Sequence, residues 1–172
     1  MIKIDNYTFK NKLEVEAAPK AKELINEFYE TAHPNLTEYN KKHYANALKH
    51  AIVLGYEKGV YIYDDDNELV GLALYHVQLE NPTNVCIDAI SFDKTVRKTY
   101  AGVYEEHGPS VLLKAVIKII SKVAKKNNKD TLILCLNDEI LYLENNFNDL
   151  GFDKTSHLEL NLNTNLYKKT VK

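Results

Sequence analysis

The 172-residue sequence predicts an α/β domain, in the α+β sense, built on a mixed and mostly antiparallel sheet with one parallel strand pair at its centre. Three observations carry this expectation. Residues 60–63 and 69–79 are strand-like runs on either side of Asp64-Asp65-Asp66-Asn67, four residues that tolerate turn geometry, so the pair reads as an antiparallel hairpin. Residues 85–92, 111–126 and 132–136 read as strand, helix and strand, and a right-handed crossover through the helix makes the two strands parallel neighbours. The N-terminal third is mostly helical, after short strand-like pieces at 7–9 and 13–15.

The elements follow from local signals. Pro19 in a first turn, then Ala21, Leu24, Ile25, Phe28 and Ala32 at helical spacing, give an amphipathic helix that stops near His33-Pro34. Thr37 is the expected N-cap of a second helix whose apolar stripe is Tyr44, Ala47, Leu48 and Ala51, ending near Gly55. Pro82 closes the second arm of the hairpin. The helix at 111–126 leaves only Lys114, Lys118, Lys122 and Lys125 as a narrow polar stripe, so it packs hard against a sheet. The run 132–136 is apolar throughout, as in a strand covered on both faces. A last helix is expected at 139–150 with Gly151 as its C-cap, then a strand at 157–162 on alternating leucines. Residues 1–165 are taken as one domain and 166–172 as a frayed basic tail.

A net charge of −2 argues against a general nucleic-acid binder, although all basic residues but Arg97 are lysines and could cluster. Cys86 and Cys135 lie in strand-like runs without a Cys-x-x-Cys pattern, which favours free thiols in a reducing compartment, so a cytoplasmic protein is expected. No apolar run has the length of a membrane span, and the first residues lack the apolar block of a signal peptide. His43 and His50 lie seven apart on a helix with no carboxylate pair at ligand spacing, so no metal site is expected. No Gly-x-Ser-x-Gly occurs, which argues against a serine hydrolase. Tyr61, Tyr63 and Tyr75 alternate along the hairpin and are read as packing residues rather than an acceptor groove.

The most informative stretch is Ile87-Asp88-Ala89-Ile90-Ser91-Phe92, followed by Arg97 and by Gly108-Pro109-Ser110 running into Val111. A strand feeding a turn and the positive end of a helix offers backbone N–H groups to a pyrophosphate-sized ligand. With Asn146-Phe147-Asn148-Asp149-Leu150-Gly151-Phe152, these segments resemble, in order and spacing, the GNAT N-acetyltransferase superfamily over about residues 60–162. The resemblance implies helices on both faces of the sheet and acetyl-CoA as co-substrate. It also implies that the parallel strands splay at their C-terminal ends, where the family admits the pantetheine arm. The partners implied are acetyl-CoA and an amine, small molecule or protein, of unspecified identity. A homodimer is left open, and neither a membrane nor nucleic acid is expected.

The departures are specific. The phosphate loop, usually Arg/Gln-x-x-Gly-x-Gly/Ala, is stretched here between Arg97 and Gly108, and Glu105-x-x-Gly108-x-Ser110 is the register that best fits the helix. Phe147 stands where many members carry a tyrosine acid, and Ala89 where some carry a glutamate base. By strand alternation Asp88 is expected on the face opposite Ala89. The resemblance then assigns the N–H groups near Ile90 and Phe92 to the thioester carbonyl. It assigns Arg97, Gly108, Ser110 and Val111 to the pyrophosphate. Glu106 and His107 are the candidate bases, and Tyr142 is the candidate replacement acid. The alternative is a catalytically impaired member of the same fold that serves as a binding or regulatory module.

Overall fold

A computed structural model describes residues 2–4, 6–33, 36–79, 84–94, 96, 111–137, 150–156 and 164–171. Its elements are β1 (Ile2–Ile4), β2 (Tyr7–Lys10), a 3-10 turn (Val15–Ala17), α1 (Ala18–Ala32), α2 (Glu38–Leu54), β3 (Lys58–Tyr63), β4 (Leu69–Val77), β5 (Asn84–Phe92), α3 (Val111–Lys126), β6 (Thr131–Asn137), β7 (Asp153–Ser156) and β8 (Thr164–Thr170). The eight strands form one sheet in the order β1-β2-β3-β4-β5-β6-β8-β7. Every neighbouring pair is antiparallel except β5 and β6, as the crossover through α3 requires. None of the described helices is long and apolar enough to cross a membrane.

The helical N-terminal third forms as the local signals dictate. α1 carries Pro19 in its first turn and buries Ala21, Leu24, Ile25 and Phe28 along one stripe. In α2 the Thr37 hydroxyl accepts from the Asn40 N–H at 3.1 Å, and Gly55 ends the helix in the left-handed region at φ 81°. The strand expected at 13–15 does not form. Val15 instead opens the 3-10 turn that runs into α1, because Ala17, Ala18 and Pro19 favour helical backbone, and its side chain is left 85% exposed. β1 is a three-residue edge strand that the sequence pattern did not single out.

The sheet centre is covered on both faces. From Gly59 to Tyr63 and from Leu69 to Tyr75 every residue is buried, and successive side chains point to opposite sides. Tyr61, Tyr63 and Tyr75 are therefore core residues. The hairpin turn is held by Asp64, whose carboxylate accepts from the N–H groups of Asp66 at 3.0 Å and Glu68 at 2.9 Å, with Asn67 at φ 60°. α3 buries Leu112, Leu113, Ala115, Val116, Ile117, Ile120 and Ala124 and leaves Lys114, Lys118, Lys122 and Lys125 in solvent.

The C-terminus corrects the sequence reading. The segment expected as a frayed tail, 166–172, is ordered in the sheet through residue 171: β8 lies between β6 and β7, and the buried Val171 donates its N–H to the Asp130 carbonyl at 2.7 Å. Lysines gave the segment the look of a tail, but a strand needs only its backbone groups paired, and Lys168 can remain exposed while that happens. The helix expected at 139–150 and the strand expected at 157–162 fall outside the described residues but for Leu150. Gly151 has the positive φ of 89° that a C-cap glycine adopts.

Candidate active site

The parallel pair opens partway along its length. Partners run from Asn84–Thr131 to Ile87–Leu134 and stop there, although β5 continues to Phe92 and β6 to Asn137. Beyond that point, among the described residues, β6 pairs only with β8, on its far side. A wedge-shaped gap therefore opens between the C-terminal halves of two adjacent strands. The Asp93 N–H donates to the Val70 carbonyl at 2.7 Å, which fixes the alternation of the β4–β5 ladder. Peptide groups of Ser91 face β4, and those of Ile90 and Phe92 face the gap. α3 begins at Val111, whose side chain is exposed.

A β-bulge sits at the point where the gap begins. Leu74 pairs with Ala89 and Tyr75 with Ile87, so Asp88 is an extra residue on β5 with no partner in β4. At the bulge Asp88 and Ala89 share the face that carries Leu74 and His76, and Asp88 Oδ2 lies 2.6 Å from His76 Nδ1. The expectation that Asp88 faces away from Ala89 is thus corrected, because strict alternation does not survive an inserted residue.

Glu57, between α2 and β3, completes the group, with Oε2 3.8 Å from His76 Nδ1. Glu57 is buried, and its Oε1 has no hydrogen-bond partner among the described residues. Burial, the neighbouring Asp88 carboxyl and its charge all push the Glu57 carboxyl well above the usual carboxylate range. The hydrogen bond to Asp88, with a further one to Cys86, raises the His76 imidazole to about 10. At neutral pH His76 is then held as the imidazolium and Glu57 as the protonated acid. His76 and Asp88 side chains keep 37% and 28% of their surface, so a ligand can reach both.

Aromatic side chains of α1 and α2 stand over this face. Tyr29 stacks on His33 at 5.7 Å and on Tyr44 at 6.2 Å, and α1 packs across β4 and β5. Burial raises the Tyr29 phenol, and the charges of Asp88 and Glu57 add to the effect, so it stays neutral. His33, meeting Phe28 edge-on, is lowered to about 4 by burial and is neutral at pH 7.

No family model matches the sequence, and no curated protein does. Solved structures do. An acetyltransferase from Streptococcus agalactiae superposes over 97% of this chain and 99% of its own, with a TM-score of 0.70 at 10% identity. A GNAT-family acetyltransferase from Staphylococcus aureus Mu50 covers 96% and 99%, with a TM-score of 0.69 at 13% identity. The PaiA N-acetyltransferase of Thermoplasma acidophilum, solved in complex with coenzyme A, covers 95% and 98%, with a TM-score of 0.65 at 10% identity.

The chain has the GNAT fold.

Within this GNAT fold, Ile90 and Phe92 lie on the β5 side of the gap, and Val111 opens α3. Arg97, Gly108 and Ser110, with Glu106, His107 and Tyr142, fall outside the described residues. Glu57 and His76 were missed by the sequence reading. His76 and Asp88 each interrupt an apolar strand with one polar side chain, a faint signal that something must satisfy them. That both meet Glu57 depends on cross-strand register, which has no local signature.

Proposed function

We propose that the protein is an acetyl-CoA-dependent N-acetyltransferase that modifies an amine. The observation that carries this reading is the opening of β5 from β6 after Ile87 and Leu134, directly beside Asp88. A thioester laid in that gap meets the peptide N–H groups of Ile90 and Phe92, which are placed to donate to the developing oxyanion. Val111 at the start of α3 and Arg97, Gly108 and Ser110 before it in the sequence are the proposed pyrophosphate contacts, since helix N-terminal N–H groups favour anions. Coenzyme A bound to the T. acidophilum protein of the same fold supports this choice of co-substrate.

The transfer itself needs few side chains. A neutral amine attacks the thioester carbonyl carbon, a C–N bond forms and the C–S bond breaks, and the amine proton must go to a base. Asp88 supplies that base: it is an accessible carboxylate at the mouth of the gap, positioned by its hydrogen bond to His76. Tyr29 and Tyr44 present aromatic faces over the same side of the sheet, a surface suited to a cationic amine before it loses its proton. The test is amine-dependent release of free thiol from acetyl-CoA across a panel of primary amines. Release that depends on both amine and protein supports the reading, and none with any amine would leave the fold as a binding module.

A further inference from the structure

We propose that Glu57, His76 and Asp88 form a binding site for a divalent transition-metal ion of the zinc class. The three residues come from separate parts of the chain, the α2–β3 connection, β4 and β5, and each offers one ligand atom. These atoms all lie within 4.8 Å of one another, with His76 Nδ1 2.6 Å from Asp88 Oδ2 and 3.8 Å from Glu57 Oε2. Around a tetrahedral ion with bonds of about 2.1 Å, ligand atoms stand roughly 3.4 Å apart. The spacings found here straddle that value, so small rotations of side chains suffice.

A second observation is independent of this spacing. Glu57 is only 8% exposed, its carboxylate is aimed into the cluster, and Oε1 has no hydrogen-bond partner among the described residues. A carboxyl oxygen buried without a partner is costly, and an ion that displaces the Glu57 proton would give that oxygen one. The donor set also narrows the choice. One imidazole with two carboxylates suits zinc, cobalt or manganese, whereas magnesium and calcium prefer oxygen alone. The exposed edges of His76 and Asp88 leave an approach for the ion and room for a water as fourth ligand.

The proposal does not rest on the acyl-transfer reading, because its readout needs no acetyl-CoA. An ion held here would occupy the place of the amine proton and block the base. The experiment is calorimetric titration of metal-free protein with zinc chloride, repeated with cobalt to record its visible absorption. One ion per chain is expected, with nitrogen and oxygen coordination. Glu57→Gln and His76→Gln should each weaken binding about tenfold or more, with folding of each checked by circular dichroism. The exposed Asp65→Asn should bind as the parent does. Absence of binding in the parent, undiminished affinity in a folded Glu57→Gln or His76→Gln, or an equal loss in Asp65→Asn would overturn the assignment.

Discussion

His76 on β4 and Asp88 on β5 meet at 2.6 Å where β5 carries one more residue than β4, between the pairs Leu74–Ala89 and Tyr75–Ile87. Asp88 shares the face of Cys86, the partner of His76, and the extra residue brings the adjacent Ala89 onto that same face. The bulge thus sits where the parallel pair opens, beside the proposed base.

Replacing Asp88 by Asn keeps the shape of the side chain and removes its capacity to take a proton. Turnover with an amine acceptor should fall by about a hundred- to ten-thousand-fold, while acetyl-CoA affinity stays unchanged. Steady-state kinetics together with calorimetry check both halves. Unchanged turnover would return the base to Glu106 or His107.

Gly71 on β4 makes room for Phe92. A Cβ built there stands 2.8 Å from Phe92 Cδ1 and 3.2 Å from Ile62 Cδ1, both buried side chains. Gly71→Ala should therefore cost about 1–3 kcal/mol by overpacking, read by denaturant unfolding. It should also lower acetyl-CoA affinity, since Phe92 shifts together with the peptide group that faces the gap.

Much of the fold was legible because its determinants are local. Thr37 and Gly55 stand at their caps, the Asp64–Asn67 turn joins its hairpin, and α3 covers 111–126. Strand 13–15 failed because period-two apolarity over three residues is weaker than a helix start at Ala17–Pro19. The basic end of the chain misled because lysine content says nothing about backbone pairing in β8. Ile90 and Phe92 are singled out by the family resemblance, and they lie on the gap side of β5. The cluster of Glu57, His76 and Asp88 could not be read from the sequence, since the pairing of β4 with β5 decides which side chains meet.

His33 should set an acid limb in stability. Burial lowers it from its ordinary value near 6.5 to about 4, so between those values the unfolded chain binds a proton that the folded chain does not. Stability then falls as pH drops from 6.5 towards 4, by at most about 1.4 kcal/mol per pH unit from this group. His33→Phe keeps the ring packing against Phe28 and Tyr29 and should flatten that limb in urea unfolding followed at several pH values. An identical slope in the variant would assign the limb to carboxylates.

Thr37→Ala removes the side chain that accepts from the Asn40 N–H and leaves that donor to water. A loss of about 1 kcal/mol is expected by thermal or denaturant unfolding, and Thr37→Ser should restore most of it.

The central claim is that the gap between β5 and β6 receives acetyl-CoA, and titration of the purified protein with acetyl-CoA in a calorimeter tests it most directly. The account predicts saturable binding of one molecule per chain. The melting temperature should rise with ligand concentration, and the stabilisation should reach about 2.7 kcal/mol at a hundred times the dissociation constant. No heat and no shift in melting at millimolar acetyl-CoA would contradict it.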